Sequence, residues 1–239
     1  MSKINIRTKL LQSEAEWDAR DAILSRHMAI LIDKYSAPGA ADGIDVGCQH
    51  GALTDQMKRL TRVHTWTGID PKLTEETVTD CNCILRPARA NELQFHDETF
   101  DVALFANVYE HIPPDERGAS LHEIYRVLKP GGILVGQLPN PYFPIESHSR
   151  LPFMGWLPDN WQRVYWKLSP VHWEHDFYVV TIKHLKQIAQ RAGFEVVHVE
   201  NFNYPPEVIP QGVRWAARLL ERPMRRIPWS WQFVLGRPL

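Results

Sequence analysis

The feature that most constrains the fold is a short apolar run that ends in glycine, at residues 43–53, GIDVGCQHGAL. Residues 44–46 have the composition of a buried strand, and Gly47 ends it. Leu53 and Met57 then recur at helical spacing. A glycine turn between a strand and a helix lets a ligand approach the backbone closely. This stretch therefore predicts a strand, a turn and a helix beside a cofactor.

The same alternation of strand and helix continues along the chain. Residues 63–70 and 99–108 are rich in β-branched and apolar residues, as is ILVGQL at residues 133–138. We expect a helix that opens at Pro71 after the first of these strands, and a second helix that ends before Lys129. Strands that alternate with helices predict an α/β fold, with a mostly parallel sheet that is covered on both faces.

Further elements are expected at the two ends of the chain. A capping box at residues 13–16, SEAE, predicts a leading helix of about two dozen residues. Thr181 is expected to cap a later helix that Gly193 closes. FEVVHVEN at residues 194–201 and SWQFVLGR at residues 230–237 predict two last strands, which we expect to pair like a hairpin at the sheet edge.

A segment rich in proline, histidine and tryptophan, residues 141–180, interrupts this alternation. It is too long for a simple connection, so we expect an insertion that covers the substrate. The prediction is one domain over residues 1–239. Its expected parts are a helical cover (1–36), a cofactor-binding core (37–140), the insertion (141–180) and a final helix with edge strands (181–239).

The composition excludes several classes of function. Of the 239 residues, 44% are hydrophobic and 23% are charged, as in a soluble globular protein, and the net charge of −1 favours no nucleic-acid partner. Cys48, Cys81 and Cys83 are too few for a disulfide framework and lack the spacing of a zinc site. No apolar stretch has the character of a signal peptide or the length of a membrane span, so we expect a cytoplasmic protein.

An acidic residue ends the next strand, where doubly wound sheets bind a ribose. Asp70 follows Asp45 by one strand–helix–strand unit, and a carboxylate there can accept both ribose hydroxyls. The turn reads Asp45-x-Gly47-x-x-x-Gly51 rather than the G-x-G-x-x-G of dinucleotide sites. Asp45 would repel a pyrophosphate, but it can orient the ammonium group of an amino-acid tail. A nicotinamide-dependent oxidoreductase is therefore the weaker alternative.

On these residues, the chain resembles class I S-adenosylmethionine-dependent methyltransferases of the broad type 11 group. Four stretches within residues 43–140 match in the family's order: IDVGCQHG, GID ending on Asp70, ANELQFHDETFDVALFANVYEHI and EIYRVLKPGGILVGQLPN. The resemblance implies a Rossmann-like, doubly wound, seven-stranded sheet whose last strand is antiparallel, with the insertion after the fifth strand. It also implies S-adenosylmethionine as cofactor and S-adenosylhomocysteine as product.

The resemblance further implies roles for particular residues. Gly47 and Gly51 would admit the methionine and ribose parts of the cofactor. Asp45 would help hold its amino group, and Asp70 would accept the ribose hydroxyls. The other predicted cofactor contacts are Ala90 and Asn91 at the adenine edge, Asn107, Val108 and His111 near the sulfonium, and also Gln49 and Pro71.

Two positions depart from the family's pattern. Gln49 stands where a glycine is usual, so a positive φ there would strain the backbone. Arg89 stands where many relatives have an aspartate, and an arginine cannot accept a hydrogen bond from adenine. The alternative function is therefore a methyltransferase-like protein that uses the cofactor poorly or not at all and binds a partner. Cofactor affinity discriminates between the two functions.

Transfer to a hydroxyl usually needs a base, and the insertion contains candidates. Ligands of such sheets bind beyond the carboxyl ends of the strands, where the insertion begins. We favour His148 as the base, with Glu146 or His175 as its neighbour. The other candidates are His111, His172 and Tyr178. The histidines are scattered rather than spaced as ligand pairs on a helix, so no metal is expected.

The expected function is methylation of a hydroxyl on a small molecule or a glycan precursor, with an amine or carbon acceptor less favoured. Aromatic residues of the insertion can stack on a sugar or an aromatic acceptor. Near the end, residues 213–231, VRWAARLLERPMRRIPWSW, combine arginine and tryptophan with an apolar face. Such a segment can lie on an anionic membrane surface, although a solvated helix is the alternative that we favour.

Overall fold

The structure is a computed structural model, and it describes residues 14–146, 148–149, 151–169, 176–205, 208 and 227–239. Its strands are β1 (Asp42–Val46), β2 (Thr65–Asp70), β3 (Thr77–Val78), β4 (Ile84–Pro87), β5 (Phe100–Ala106), β6 (Leu128–Pro139), β7 (Glu195–Phe202) and β8 (Ser230–Gly236). Its α-helices are α1 (Glu14–Tyr35), α2 (Ala52–Leu60), α3 (Arg117–Val127), α4 (Asp159–Trp166) and α5 (Ile182–Arg191). Short 3₁₀ helices occupy Tyr109–His111 and Met154–Trp156.

These strands form one sheet in the order β3-β4-β2-β1-β5-β6-β8-β7. β1 pairs parallel with β2 on one side and with β5 on the other, and β4 and β6 extend the parallel part in both directions. β8 runs antiparallel to both β6 and β7. The predictions of an α/β fold, a mostly parallel sheet and an antiparallel last strand are confirmed.

The described part of the sheet has eight strands, whereas seven were expected. The additional strand, β3, pairs antiparallel with β4 at the sheet edge. It follows the segment where a helix was predicted to open at Pro71, and that prediction is wrong. Asp70 accepts a hydrogen bond from the backbone N–H of Lys72 at 2.8 Å within a turn at this point. Thr77 and Val78 are β-branched and then favour a strand.

The last two strands pair as predicted, but only one of them lies at the sheet edge. β8 lies between β6 and β7, so β7 forms the edge. Phe233, Val234 and Leu235 of β8 are fully buried, as an interior strand requires. Because β3 adds a strand, residues 141–180 follow the sixth strand in chain order rather than the fifth.

Helices pack on both faces of the sheet, and each face has its own apolar core. On one face, Met28 of α1 and Met57 of α2 belong to a single cluster of buried side chains. On the other face, Leu121 of α3 and Leu185 of α5 belong to a second cluster. The sheet is therefore doubly covered, as its apolar interior strands require.

The leading helix and the helix capped by Thr181, both predicted from the sequence, are confirmed. The leading helix, α1, has 22 residues, and its buried apolar side chains recur at helical spacing at Leu24, Met28, Leu31 and Ile32. Ser13 of the predicted capping box lies outside the described residues. Thr181 caps α5, since its hydroxyl oxygen accepts a hydrogen bond from the backbone N–H of His184 at 3.2 Å.

Residues between β6 and α5 include the 3₁₀ helix Met154–Trp156 and α4. Leu151, Met154 and Phe177 form a small apolar core of their own there. The covering role of this segment stays a prediction.

Residues 213–231, expected to form a solvated helix or alternatively to contact a membrane surface, lie largely outside the described residues, which resume at residue 227. Among the helices that the structure describes, none combines the length and apolarity needed to cross a bilayer. The membrane-surface contact therefore stays a prediction.

The topology brings residues that are distant in sequence to one edge of the sheet. The strand order reverses between β1 and β5, which creates the crevice where doubly wound sheets bind ligands. β1, β2, β4, β5 and β6 are parallel, so their carboxyl ends all lie at this edge. The 3₁₀ helix Tyr109–His111 follows β5 there, and the segment that contains His148 follows β6.

Candidate functional site

The turn after β1 requires glycine at two positions. Gly47 has φ +85° and Gly51 has φ +80°, in the left-handed region that side chains disfavour. A Cβ on Gly47 would lie 2.4 Å from a methyl carbon of Val108, and one on Gly51 would lie 2.7 Å from a methyl carbon of Thr79. Both positions therefore exclude a side chain by conformation and by space, which leaves backbone at the head of the crevice.

Gln49 adopts the left-handed conformation that the sequence identified as a source of strain, with φ +51°. This conformation costs a non-glycine residue roughly 1–2 kcal/mol. The Gln49 side chain is exposed, whereas its backbone N–H donates to Asp70 Oδ2 at 2.9 Å. The backbone of Gln49 thus connects the end of β1 to the end of β2.

Asp70, the predicted ribose acid, lies at the end of β2 and is 5% exposed. Its Oδ2 accepts the Gln49 N–H, and its Oδ1 accepts the Lys72 N–H at 2.8 Å. An ionised carboxylate has about four acceptor positions, so each oxygen keeps one for a ligand hydroxyl. The two backbone donors fix the plane of the carboxylate before any ligand arrives.

Asp45, the predicted partner of an ammonium group, is buried within β1 at 2% exposure. Its Oδ2 accepts a hydrogen bond from Thr54 Oγ1 at 2.6 Å. Burial raises the pKa of Asp45 to about 7, since the Thr54 hydrogen bond opposes the shift only in part and the charge of Asp70 adds to it. A cation beside Asp45 would offset this cost of ionisation.

An open cleft lies at the carboxyl ends of the strands. The predicted cofactor contacts that line it are Gly47, Pro71, Ala90, Asn91, Val108 and His111. Asp45 and Asp70 each precede a lining stretch in the chain and are buried behind it. The structure therefore gathers these predicted residues around one cavity.

A carboxylate that sequence reasoning missed lies at the predicted adenine edge. Glu116, the residue before α3, lines the cleft together with Arg89 and Asn91. It accepts hydrogen bonds from the Arg89 guanidinium at 3.1 Å and from Asn91 Nδ2 at 3.0 Å. The carboxylate at this edge thus comes from the residue before α3 and not from the segment that contains Arg89. No local pattern in the sequence identifies it.

Asn107 differs from the other predicted cofactor contacts, because its polar groups are engaged with β6. Its Oδ1 accepts from Gln137 Nε2 at 3.0 Å, and its backbone N–H donates to the Gln137 carbonyl at 2.9 Å. Its φ of +56° is one that asparagine tolerates better than most residues. These contacts give Asn107 a structural role at the end of β5, and its contact with the cofactor stays a prediction.

Two of the predicted catalytic histidines meet at this edge of the sheet. The rings of His111 and His148 pack edge to face, with centroids 5.1 Å apart. His148 Nδ1 lies 2.7 Å from Glu146 Oε1, the neighbour that the sequence suggested, and its ring stacks on Phe177 at 4.8 Å. Glu110 completes the group, with Oε1 at 3.8 Å from His148 Nε2.

The environments of the buried residues Glu110 and Glu146 shift the pKa values of their carboxyl groups in opposite directions. Burial raises the pKa of Glu110. Burial also acts to raise the pKa of Glu146, but hydrogen bonds from His148 and Ser149 lower it to about 2. Burial favours a neutral His148, yet the hydrogen bond and charge of Glu146 raise the pKa of the imidazole above its usual value. Glu146 therefore stabilises the imidazolium that forms when His148 takes up a proton.

The other base candidates are only partly placed. His172 and His175 lie outside the described residues. Tyr178 lines a small cavity together with Glu110 and His148, and its backbone N–H donates to the Glu110 carbonyl at 2.8 Å.

Comparison with known proteins connects this geometry to a family. A family model described as a methyltransferase domain matches residues 19–199. A demethylmenaquinone methyltransferase of Lactiplantibacillus plantarum is 28% identical in an alignment of 188 positions that covers 73% of this chain and 68% of that protein. A solved S-adenosylmethionine-dependent methyltransferase of Mesorhizobium loti has a TM-score of 0.58 at 16% identity, and the match covers 94% of this chain and 99% of that one. A protein of Pyrococcus horikoshii has a TM-score of 0.61 at 16% identity, over 96% and 95% of the two chains.

The family match runs from within α1 to within β7 and so includes the glycine turn, Asp70 and the cleft. The solved structures agree in fold over nearly the whole chain. The resemblance inferred from four short stretches is confirmed. The chain therefore belongs to the methyltransferase domain family, and it is a class I methyltransferase that uses S-adenosylmethionine.

Proposed function

We propose that this methyltransferase acts on a hydroxyl oxygen of a small molecule or a glycan precursor. The observation that supports the proposal is a histidine bound to a carboxylate beside the cofactor cleft: His148 Nδ1 lies 2.7 Å from Glu146 Oε1. The ring of His148 contacts that of His111, which lines the cleft. Transfer to a hydroxyl requires removal of its proton, and a histidine oriented in this way can take part in that step.

The residues around the cleft fit the cofactor. Each oxygen of Asp70 accepts one backbone N–H and would accept one ribose hydroxyl. Asp45 would hold the ammonium group, whose charge would offset the desolvation of that buried carboxylate. When bound, S-adenosylmethionine supplies a methyl group on a sulfonium, and displacement by an acceptor oxygen leaves S-adenosylhomocysteine. Gly47 leaves the backbone accessible at the head of the cleft.

The acceptor would occupy a smaller cavity next to the cleft. Its walls include Glu110, His148, Phe177 and Tyr178, and they would have to move apart to admit a ring, because the free space between them is about that of one water molecule. His111, the neighbour of Glu110 in the chain, lines the cofactor cleft. An aromatic wall with a few polar groups suits the apolar face of a sugar or an aromatic ring.

We place the ionisation of the acceptor hydroxyl at His148. Glu146 holds Nδ1 of the imidazole, and Nε2 lies on the side of Glu110. The chain's other contribution would be alignment of the acceptor and exclusion of water, because the leaving group of the donor is already activated.

A quinone-type aromatic ring is the second candidate acceptor. The relative from Lactiplantibacillus plantarum is named a demethylmenaquinone methyltransferase. Phe177 and Tyr178 would suit a flat ring of that kind as well. Mass spectrometry and NMR of the methylated product distinguish the two candidates, because they identify the acceptor and the atom that receives the methyl group.

Calorimetry with S-adenosylhomocysteine tests how the chain holds its cofactor. We expect micromolar binding to the wild-type chain and a loss of about 10-fold or more in Asp70→Ala, because the ribose contacts and the anchor of the Gln49 turn disappear. Asp80→Ala, at an exposed position, is the matched control. Full affinity in Asp70→Ala would contradict the role of Asp70. No binding to the folded wild-type chain would favour the partner-binding alternative.

A screen of phenols, sugars and other hydroxylated compounds, followed through formation of S-adenosylhomocysteine, tests the acceptor class. For an oxygen acceptor, His148→Gln is expected to lower kcat by roughly 100-fold or more with unchanged cofactor affinity. The exposed His64 offers the control variant His64→Gln. A wild-type rate in His148→Gln, or methylation only at nitrogen or carbon, would count against the proposal.

A further inference from the structure

Three side chains that offer metal ligands converge between the cofactor cleft and the segment after β6. One ligand atom from each of Glu110, His111 and His148 lies within 4.8 Å of the other two. Glu110 and His111 belong to the 3₁₀ helix after β5, and His148 follows β6. The sequence-based expectation of no metal considered spacing along the chain, whereas these ligands come from two separate segments.

The burial of Glu110 is a second observation that points to a cation. This residue is 3% exposed, and neither carboxylate oxygen has a hydrogen-bond partner among the described residues. Oε1 lies 3.8 Å from His148 Nε2, which is within ion-pair distance of a protonated imidazole but too long for a hydrogen bond. Buried carboxylates are normally paired, hydrogen-bonded or bound to a metal. A cation between Glu110 and the histidines would satisfy this requirement.

The spacing and the support of the histidines suit a transition-metal ion. Ligand atoms about 2.1 Å from a tetrahedral ion lie roughly 3.4 Å apart, whereas the pair Glu110 Oε1 and His148 Nε2 is 3.8 Å apart and all three ligand atoms lie within 4.8 Å of one another, so the side chains would close around the ion. Nδ1 of His148 lies 2.7 Å from Glu146 Oε1, and Nδ1 of His111 lies 3.1 Å from the Asp176 carbonyl. Outer contacts of this kind orient the histidines of metal sites.

We propose that Glu110, His111 and His148 bind a divalent transition-metal ion of the zinc class, with one coordination position open to the acceptor oxygen. Two imidazoles and one carboxylate form the donor set of several catalytic zinc sites. The inference rests on the proposed function for the role of the ion, which would hold the acceptor hydroxyl and lower its pKa so that the proton passes to water. His148 would then act as a ligand rather than as the base itself.

Metal binding to the full chain, stripped with a chelator and free of cofactor and acceptor, tests this inference. We expect one equivalent of Zn²⁺ to bind in calorimetry, and Co²⁺ to give the visible absorption of a tetrahedral site. Mg²⁺, which prefers oxygen ligands, is expected to bind far more weakly. Glu110→Gln and His111→Gln are each expected to weaken Zn²⁺ binding by about 10-fold or more.

The matched control is His198→Gln, which removes a histidine that lies 3.3 Å from Glu200 on β7, away from this cluster. Full binding in His198→Gln with loss in the cluster variants supports the site. Absence of Zn²⁺ binding to the wild-type chain, or wild-type affinity in both cluster variants, overturns it. His111 is partly exposed, so His111→Gln is expected to leave the fold intact. If circular dichroism shows that Glu110→Gln does not fold, the test rests on His111→Gln. The proposed function fails by a separate result, namely no methylation of any hydroxylated acceptor.

Discussion

Gln49 offers a test of backbone strain at the scale of a single residue. Its φ of +51° is one that glycine adopts at little cost. Replacement Gln49→Gly is therefore expected to raise the free energy of unfolding by about 1 kcal/mol, as measured by urea denaturation. The hydrogen bond to Asp70 comes from the Gln49 backbone, so S-adenosylhomocysteine affinity is expected to stay within about 2-fold of wild type.

A second residue in the same conformation serves as the control for this prediction. Asn82 has φ +59°, and asparagine tolerates that region better than glutamine. Asn82→Gly is accordingly expected to change stability little. An equal gain in stability at both positions would show that this backbone conformation is no more costly for glutamine than for asparagine. A large loss of cofactor affinity in Gln49→Gly would assign a binding role to that side chain.

The predictability of site residues from sequence depended on whether their partners lie nearby in the chain. Asp70 could be assigned a role because it ends a strand one unit after the glycine turn. Glu116 could not, since its proximity to Arg89 depends on how α3 packs beside the segment after β4. The contact between His148 and Glu146 lies within one short loop, and the sequence did suggest it.

At the scale of secondary-structure elements, Asp101 tests how much one carboxylate contributes to holding neighbouring strands together. Its Oδ2 accepts from the backbone N–H groups of Ala41 and Asp42 at 2.9 and 3.0 Å, and from Lys129 Nζ at 2.9 Å. One carboxylate in β5 thus joins the start of β1 to the start of β6. Asp101→Asn is expected to lower the free energy of unfolding by about 2 kcal/mol, because it removes charge-assisted hydrogen bonds from a largely buried site. Urea denaturation at neutral pH measures the change.

The control for Asp101→Asn is Asp97→Asn, which weakens an ion pair of an exposed carboxylate with Arg126 and is expected to cost less than about 1 kcal/mol.

The contribution of Asp101 to stability is also expected to depend on pH. Burial opposes ionisation of Asp101, but the hydrogen bonds from Ala41, Asp42 and Lys129 lower its pKa below 3.8. Its contribution to stability is therefore present above pH 3.8 and is lost as the pH falls through the folded pKa. Equal stabilities of wild type and Asp101→Asn at neutral pH would refute the role of this carboxylate.

Elements with strong periodicity or long apolar runs were predictable, and short ones were not. The buried side chains of α1 and α5 recur at helical spacing, and β5 is almost continuously apolar. β4 has four residues of which only Leu85 is buried, so it has no pattern that distinguishes it from a loop. The helix expected at Pro71 is absent, and the β-branched Thr77 and Val78 instead pair with β4, a contact that no pattern within the segment predicts.

At the scale of the whole molecule, the parallel sheet assembles the site from segments that are far apart in sequence. Every parallel strand ends at the same edge, so the turns after β1, β2, β4, β5 and β6 meet there. The predicted cofactor contacts come from the first four turns, and His148 comes from the segment after the fifth. This arrangement places a buried carboxylate, Asp45, beneath the cofactor cleft, where its ionisation affects the stability of the entire chain.

The stability of the cofactor-free chain is expected to depend on pH through Asp45. Folding raises the pKa of this carboxyl group from 3.8 to about 7, chiefly through burial. A raised pKa means that its protonated form stabilises the native state fully below pH 3.8, and that this contribution is lost as the pH rises through about 7. The loss amounts to about 4 kcal/mol of the free energy of unfolding across that interval.

Asp45→Asn cannot ionise, so its stability relative to wild type is expected to increase between about pH 4 and about pH 8. Urea denaturation of both proteins at several pH values measures this difference, with Asp80→Asn as an exposed control. S-adenosylhomocysteine brings an ammonium group to Asp45, so at the higher pH it is expected to stabilise wild type more than Asp45→Asn. A difference between the two cofactor-free proteins that stays constant with pH would contradict the raised pKa. Equal stabilisation of both proteins by S-adenosylhomocysteine would contradict the placement of the ammonium group beside Asp45.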